Sequence, residues 1–458
     1  MKIVIIILFL LINYKTFFYV SKINLRGIVE GFYGNPWSFE DRVDMIKFCS
    51  SHNLNAYIYA PKDDLYHREK WREPYPEQKI IELKHLIIFS KENNVRFIFA
   101  ISPGIDLNYN GDKGEEDFKI LMNKIHSIYE IGCRDFAIFF DDIHLNNTNS
   151  GKLQAQFLNK LYSALRKKYI NKIKSLITVP TDYYLRVMLD DFGEIKRYTK
   201  DFSSILNKKI LVLYTGDKIV SDGISDENYR KAKKIYNREL GIWWNYPVND
   251  YLMNKLGLGP IEKLPTSSKI NSIFYNPMQQ VQLSKISITT GADYALSPKT
   301  YNAEKSWNHA IEEQFKENAG AMKVFARHSR HMENNWAYIG PPDGPEFYEE
   351  AHRAIVYYLA KEKFNYLKLK SLLDEMDKSA DTLLQKLDYK ILYECKPHLE
   401  QFKRIIKADK FAVGCLETKS NITELKKLRN EINLYEFQAI LSQKSAIKFI
   451  DEVLELFQ

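Results

Sequence analysis

Between residues 24 and 300 the sequence alternates between two patterns, and this alternation constrains the fold more than any other feature. Short apolar runs rich in β-branched and aromatic residues give way to amphipathic stretches with helical spacing. The runs cover residues 25–29, 56–60, 95–101, 136–140, 175–179, 210–214, 241–244 and 272–275. Such alternation over this length predicts an α/β fold, a (β/α)₈ TIM barrel. An open doubly wound sheet is the main alternative, but no glycine-rich phosphate loop follows the first run.

Helix start signals agree with this alternation. Ser38 is a plausible N-cap, and Phe39, Val43 and Ile46 after it share one face of a helix. Pro76 suits the first turn of the next helix, because proline lacks the N–H group that a first turn leaves unpaired. Most segments between the apolar runs are therefore predicted to be helical.

The pattern changes after about residue 300. Strand-like runs disappear, and long amphipathic stretches rich in Lys, Glu and Leu follow, interrupted by a loop over residues 339–345 (IGPPDGP). A chain of 458 residues is also longer than one compact core usually holds. We therefore expect a barrel over residues 22–300, followed by an all-α helical domain over residues 301–458.

The first 21 residues differ in character from the rest of the chain. Lys2 precedes an apolar run over residues 3–12, and a polar break follows that run. This pattern predicts a signal peptide, or a signal anchor if residues 17–20 extend the span, and hence a secreted or surface-anchored protein. Contact with a membrane is expected only through this segment. A buried first strand is the alternative interpretation.

Charge and cysteine content exclude some classes of protein. The net charge is +8, but lysine is spread along the chain without an arginine-rich run or basic arm. Binding to nucleic acid usually requires a clustered basic patch, so no nucleic acid partner is expected. The four cysteines are too few and too scattered for a disulfide scaffold, and they are expected to be buried apolar residues.

Two adjacent carboxylates, Asp141 and Asp142, follow the fully apolar fourth run. In a barrel, the C-terminal end of each strand opens on the face that carries the active site. A bare Asp-Asp pair is more often a helix cap or a loop feature. Polar and aromatic residues also follow other runs, however, at residues 30–34, 61–64, 180–183, 214–216, 243–250 and 275–277. This clustering predicts a polar, aromatic-walled pocket, which suits the hydroxyls and apolar ring faces of a sugar.

Five segments resemble family 84 of the glycoside hydrolases, the O-GlcNAcase and bacterial hyaluronidase-like N-acetylglucosaminidases. They are residues 26–37 (RGIVEGFYGNPW), 57–64 (YIYAPKDD), 139–143 (FFDDI), 179–183 (VPTDY) and 243–250 (WWNYPVND). The resemblance runs from about residue 24 to at least residue 311. Residues 184–188 (YLRVM) depart from the family pattern, so the loop beside the pocket is expected to differ.

The resemblance implies a retaining, exo-acting hydrolase of terminal β-linked N-acetylglucosamine that uses no cofactor. In this family the acetamide oxygen of the substrate is the nucleophile and forms an oxazoline intermediate, an exception to the usual two separated carboxylates. By resemblance, Asp141 orients the acetamide N–H, and Asp142 is the general acid and then the general base. Asp142 would then need a raised pKa, which the nearby charge of Asp141 favours.

The resemblance also implies eight substrate-binding residues. Gly31 and Lys62 are expected at the sugar hydroxyls, Tyr183 at the acetamide, Thr215 and Trp243 at the acetyl group, and Asn245, Asp250 and Asn276 around the pyranose. The expected partner is a glycoprotein or glycan that carries N-acetylglucosamine.

Two other functions stay open. One is an endo-acting acetamido-sugar hydrolase on hyaluronan or chitin-like chains, and the other is a non-catalytic glycan-binding protein on a degenerate barrel. The presence of both aspartates argues against the second. His328 and His331 could form a metal pair, but their spacing differs from H-E-x-x-H and a solvated helix face is favoured, so no metal site is expected.

Overall fold

The computed structural model describes residues 22–144, 149–170, 172–418 and 422–457. Eight parallel strands close into a barrel because the first strand pairs with the last, with Leu25 opposite Ser272 and Ile28 opposite Tyr275. The strands are β1 (Leu25–Glu30), β2 (Ala56–Tyr59), β3 (Arg96–Ile101), β4 (Asp135–Phe139), β5 (Ser175–Val179), β6 (Leu211–Tyr214), β7 (Leu240–Trp244) and β8 (Ser272–Tyr275). The predicted TIM barrel is therefore confirmed, and the open sheet is wrong.

Helices surround the barrel in most of the gaps between strands. They are α1 (Phe39–Ser51), α2 (Glu77–Glu92), α3 (Gly111–Glu130), α4 (Ser150–Lys168), α5 (Leu185–Met188), α6 (Arg197–Ile205), α7 (Asp226–Tyr236) and α8 (Val281–Leu296). Ser38 is the N-cap of α1 as predicted, and it forms a capping box with Asp41. The chain between β7 and β8 consists of turns and bends without a helix.

Alternate residues of the strands fill the barrel interior, as the period of a strand requires. Val29, Ile58, Phe139 and Leu213 belong to this inner cluster and are fully buried. Trp243 belongs to the same cluster, and its ring packs edge-on against Phe139 with 5.5 Å between the ring centroids. The interior is thus a solid core whose upper layer includes Trp243.

The C-terminal region is mostly helical. Its helices are α9 (Ala303–Phe315), a 3₁₀ turn (Lys316–Asn318), α10 (Ala319–Arg327), α11 (Pro345–Leu359), α12 (Leu367–Lys386), α13 (Tyr389–Thr418), α14 (Thr423–Tyr435) and α15 (Ala446–Leu456). The expectation of an all-α region is wrong at one place, where β9 (Met332–Glu333) and β10 (Tyr338–Ile339) form an antiparallel hairpin. The side chain of Asn334 stabilises its turn by accepting the N–H groups of Trp336 and Ala337.

The C-terminal helices share a hydrophobic core with the barrel. Leu283 and Ile286 of α8 pack in the same cluster as Trp307 of α9 and Phe402 of α13. In addition, the Glu394 carboxylate of α13 accepts the N–H groups of Gln282 and Leu283 at 2.9 Å, and so caps the N-terminus of α8. The helical region is therefore anchored on the last helix of the barrel.

The predicted signal segment, residues 1–21, lies outside the described residues. Among the described residues, no helix is both long and apolar enough to span a bilayer. All four cysteines are buried and free, as predicted.

Candidate active site

All ten residues predicted for the site line a single cavity of about 280 Å³. Each lies at or just beyond the C-terminal end of a strand. They are Gly31 after β1, Lys62 after β2, Asp141 and Asp142 after β4, Tyr183 after β5, Thr215 after β6, Trp243, Asn245 and Asp250 at and after β7, and Asn276 after β8. Every strand except β3 contributes, so side chains converge on the cavity from nearly all around the barrel.

One carboxylate oxygen of Asp141 has a hydrogen-bond partner, and the other has none among the described residues. The Lys62 ammonium group donates to its Oδ2 atom, and both side chains are almost fully buried. The Oδ1 atom is also buried and has no hydrogen-bond partner among the described residues. A buried carboxylate oxygen without a partner is costly, so this atom is positioned to accept a hydrogen from a ligand.

Asp142 accepts a hydrogen bond on each carboxylate oxygen. The Tyr33 hydroxyl donates to Oδ2 and the Tyr183 hydroxyl to Oδ1, both at 2.8 Å. Its backbone φ of 54° lies in the left-handed region, which turns its side chain away from the line of the strand. This turn explains how two neighbouring aspartates reach one cavity.

The expected raised pKa of Asp142 is wrong for the free site. Burial raises the pKa of this carboxyl, but the charge of Lys62, the hydroxyls of Tyr33 and Tyr183 and the charge of Arg68 outweigh burial. The pKa of Asp142 is therefore held below its usual value. The charge of Asp141 therefore does not decide the direction, because the Lys62 charge makes the largest contribution that lowers the pKa of Asp142.

One wall of the cavity is held by a chain of side-chain hydrogen bonds. The Trp243 indole N–H donates to Asn245 Oδ1 at 2.7 Å, and the Asn276 amide donates to the same oxygen at 3.1 Å. Asn276 Oδ1 in turn accepts the Gly31 N–H. A Cβ atom at Gly31 would lie 2.4 Å from the Trp243 ring, so glycine is needed there for the indole to pack. The Asn245 amide also donates to the Ile219 carbonyl. Because both its oxygen and its amide group already have partners, Asn245 mainly holds the Trp243 ring in place.

Two further predicted residues have hydrogen-bonding groups already in use. Asp250 accepts the Tyr33 N–H at 2.9 Å on Oδ2, and burial raises the pKa of its carboxyl. The Thr215 hydroxyl donates to the Lys218 carbonyl at 2.7 Å. The Thr215 side chain therefore offers its methyl group, rather than a free hydroxyl, to a ligand.

Three aromatic residues of the cavity were missed by the sequence prediction: Tyr33, Tyr251 and Trp336. Tyr33 lies inside the segment 26–37 and follows Gly31 by two residues, so its position gave a usable signal. Trp336 lies on the turn of the β9–β10 hairpin, where no pattern indicated a site. Its ring packs against Tyr251 with 5.1 Å between the centroids and forms part of the cavity rim.

Some polar residues at strand ends do not reach the cavity. Glu30 is fully buried and pairs with Arg42 at 2.8 Å, and Asp182 accepts the Thr199 hydroxyl at 3.1 Å. His328 and His331 are buried, so the expected solvated helix face is wrong for both. No cluster of metal-ligating side chains occurs in the described residues.

Comparison with protein families gives two matches. A model described as beta-N-acetylglucosaminidase matches residues 26–327, and one described as hyaluronidase post-catalytic domain-like matches residues 358–450. The chain is 32% identical over 280 residues to the protein O-GlcNAcases of Mus musculus and Rattus norvegicus. That match covers 59% of this chain and 30% of the length of each relative.

Solved structures resemble nearly the whole chain. The structure of CpGH84B has a TM-score of 0.85 and 37% sequence identity, covering 94% of this chain and 77% of that one. A mutant of the Thermobaculum terrenum O-GlcNAc hydrolase has a TM-score of 0.80 and 29% identity, covering 94% of both chains. The likeness therefore includes the C-terminal helices as well as the barrel.

Proposed function

Because the chain belongs to the β-N-acetylglucosaminidase family, family 84 of the glycoside hydrolases, we propose that it is a retaining exo-β-N-acetylglucosaminidase. Its substrate would be N-acetylglucosamine linked by a terminal β bond to a protein or glycan. The observation that carries this proposal is the state of Asp141: one oxygen is bound to Lys62, and the other is buried and unpartnered inside the cavity. The acetamide N–H of the substrate is a donor that would satisfy that oxygen.

The first step would be an attack by the substrate on itself. The acetamide oxygen bonds to the anomeric carbon, the glycosidic bond breaks, and the leaving oxygen takes a proton from Asp142. Asp141 accepts the acetamide N–H and stabilises the positive charge of the oxazolinium ring with its own negative charge. Asp141 thus orients the nucleophile, and neither aspartate attacks the sugar.

The second step would reverse the roles of Asp142. Its carboxylate removes a proton from a water molecule, the water oxygen bonds to the anomeric carbon, and the bond between that carbon and the former acetamide oxygen breaks, which restores the acetamide. Two inversions at the same carbon leave the product in the β configuration. The Tyr183 hydroxyl donates to Asp142 in the free site, so it would lie beside the carboxylate that transfers the proton.

The shape of the cavity favours attack at a chain end. A volume of about 280 Å³ is near the lower limit of small-molecule sites, about 300 Å³. Side chains from seven strands surround it, and Trp243 lies in the upper layer of the barrel core beneath it. One sugar ring fits this description better than several consecutive rings.

An endo-acting hydrolase of hyaluronan or chitin-like chains is the second candidate. It is favoured by the match of residues 358–450 to a model named for hyaluronidase.

An activity panel separates the two candidates. Purified protein is incubated with an aryl β-N-acetylglucosaminide, O-GlcNAc peptides, mucin glycans and hyaluronan. The proposal predicts release of free β-N-acetylglucosamine with no early loss of polymer length. Rapid depolymerisation of hyaluronan would favour the endo-acting alternative, and turnover of none of these substrates would contradict both.

We also propose that residues 1–21 direct the protein to the secretory pathway, on the strength of their composition alone. Expression of the full chain in its native host, with detection in medium, membrane and cytosol, tests this. Recovery in the medium or membrane is expected. Recovery in the cytosol alone would contradict it.

A further inference from the structure

The hydrogen bonds around Asp142 describe an ionised carboxylate. Tyr33 and Tyr183 each donate a hydrogen to it, one to each oxygen. A protonated carboxyl group must donate a hydrogen of its own, so one of these contacts has to change before Asp142 can act as an acid. In the free site Asp142 is therefore already deprotonated, and a neighbouring group must stabilise that form.

Arg68 contacts both Tyr33 and Asp142. Its Nη1 atom donates to the Tyr33 hydroxyl oxygen at 2.9 Å, and its Nη2 atom donates to the Asp142 backbone carbonyl at 3.1 Å. Arginine has no acceptor, so the Tyr33 oxygen must accept this bond and direct its own hydrogen elsewhere. The acceptor within reach of that hydrogen is Asp142 Oδ2. Arg68 thereby keeps Tyr33 a donor to Asp142.

The loop that carries Arg68 is firmly attached to the barrel. The neighbouring His67 is fully buried and bonds through its ring to the Ala100 carbonyl at 2.8 Å and to Ser102 at 3.0 Å. Burial lowers the pKa of His67 to about 4, so the ring stays neutral at physiological pH. The Arg68 guanidinium also packs over the Tyr33 ring, 5.4 Å from its centroid. These contacts fix the position of Arg68 without placing it among the residues that line the cavity.

We propose that Arg68 is a positioning residue that controls the proton of Asp142 through Tyr33. It holds Tyr33 in the donor role and so keeps Asp142 ionised in the free site. When a substrate binds, its leaving oxygen replaces the Tyr33 hydroxyl at the Asp142 carboxyl, and the carboxyl then keeps a proton taken from water. This inference rests on the proposed function, in which Asp142 is the general acid.

Other charged and titratable groups face Asp142 from the surrounding strand ends. They are Lys62 after β2, Tyr183 and Tyr184 after β5, Asp250 after β7 and the adjacent Asp141. Lys62 and Arg68 both lower the pKa of Asp142. Lys62 lines the cavity and holds Asp141, whereas Arg68 can be replaced without removing a side chain from the cavity.

The test is the pH dependence of kcat/KM, which reports groups of the free enzyme. The substrates are a phenyl β-N-acetylglucosaminide, whose leaving group needs a proton, and a dinitrophenyl analogue, whose leaving group does not. For the phenyl substrate, Arg68→Met is expected to move the alkaline limb upward by about one pH unit, because a stabilising positive charge and a fixed donor are lost. Arg68→Lys keeps the charge and should move the limb less. The dinitrophenyl substrate should show little change.

Arg186 supplies the matched control. It is exposed, lies three residues after Tyr183, and is not a hydrogen-bond partner of Tyr33 or Asp142 in the described part of the chain. Arg186→Met should leave the limb where it is. If Arg68→Met fails to fold, the effect of Arg68→Lys on the alkaline limb is compared in the unmodified protein and in Tyr33→Phe. Because Tyr33→Phe removes the donated hydrogen, Arg68→Lys should have no further effect on the limb in that background.

Two results overturn the inference while leaving the proposed function intact. One is an unmoved alkaline limb in Arg68→Met with equal losses for both substrates, which indicates a purely structural role. The other is an Arg68→Lys shift of the same size in the presence and absence of the Tyr33 hydroxyl. Absence of turnover in the unmodified protein, in contrast, would overturn the proposed function itself and the inference with it.

Discussion

The ammonium group of Lys62 holds one carboxylate oxygen of Asp141, while the other oxygen of Asp141 stays buried without a partner. The two side chains are only 2% and 7% exposed, so water screens their charges weakly. A buried ion pair recovers the cost of desolvation only when its remaining lone pairs and protons also find partners. The site therefore has a place for a hydrogen donor at one defined position, which the acetamide N–H of the proposed substrate would fill.

Replacing Lys62 leaves the Asp141 charge buried and alone. Lys62→Met is expected to lower the free energy of unfolding by about 3–5 kcal/mol and to lower kcat/KM for aryl N-acetylglucosaminides. Urea denaturation and steady-state kinetics measure the two effects. Lys263→Met is the control, because Lys263 pairs with Asp222 at 3.0 Å on the surface, where such a pair contributes about 1 kcal/mol or less. Similar small losses in both variants would show that the Lys62 pair is not effectively buried.

Asp142→Asn removes the proposed proton donor. We expect a loss of about 10²–10⁴ in kcat for substrates with poor leaving groups, and a much smaller loss when the leaving group needs no proton. Asp182→Asn serves as control, since Asp182 follows β5 on the face of the barrel where Asp142 follows β4, but Asp182 bonds to Thr199 and does not line the cavity. Losses of equal size for both classes of leaving group would remove Asp142 from the role of acid.

Trp336 and Tyr338 allow a matched comparison on one hairpin. Their exposed fractions are 45% and 44%, but only Trp336 lines the cavity. Trp336→Ala is expected to raise KM for glycopeptides several-fold with little change in kcat, because it removes a stacking surface at the rim rather than a group at the reacting bond. Tyr338→Ala should leave both constants unchanged. Michaelis–Menten kinetics with a glycopeptide substrate distinguish the outcomes, and equal effects of the two substitutions would indicate a general disturbance of the hairpin.

Glu394 is expected to make stability depend on pH. Burial raises the pKa of its carboxyl from the ordinary value of 4.5 to about 7. The two N–H groups of α8 that it accepts lower this pKa, but burial outweighs them. The folded chain therefore binds this proton more tightly, and stability falls as the pH rises from 4.5 to 7. Glu394→Gln should reduce that fall, while Glu375→Gln on the exposed face of α12 should not. Urea unfolding at pH 5 and pH 7.5 measures the difference. An unchanged fall in Glu394→Gln would contradict the assignment.

The barrel could be predicted because its signal is local and repeated. Strands β5 and β8 begin and end at the residues where their apolar runs do, and Ser38 caps α1 as its sequence indicates. The β9–β10 hairpin could not be predicted, because each strand has two residues and its turn depends on the side chain of Asn334. A strand of two residues has no period to detect.

Most polar residues of the site could be predicted, but its aromatic rim and its electrostatics could not. Lys62 and Asp250 were assigned by the family resemblance, and both follow strand ends, as Asp141 does, so the closed barrel gathers all three around one cavity. The pKa of Asp142 depends on Tyr33 and Arg68, whose contacts with Asp142 span 109 and 74 residues of sequence. Long-range contacts of this kind follow only from the folded structure.

The most direct measurement of the central claim is the rate of hydrolysis of a series of aryl glycosides with increasingly fluorinated N-acetyl groups. Each fluorine withdraws electron density from the acetamide oxygen and weakens it as a nucleophile. If the substrate supplies the nucleophile and Asp141 only orients it, kcat/KM falls steeply along the series, and an aryl β-glucoside without the acetamido group is not hydrolysed. A flat series, or ready hydrolysis of the glucoside, would show that a carboxylate of the protein attacks the sugar and would contradict the proposed mechanism.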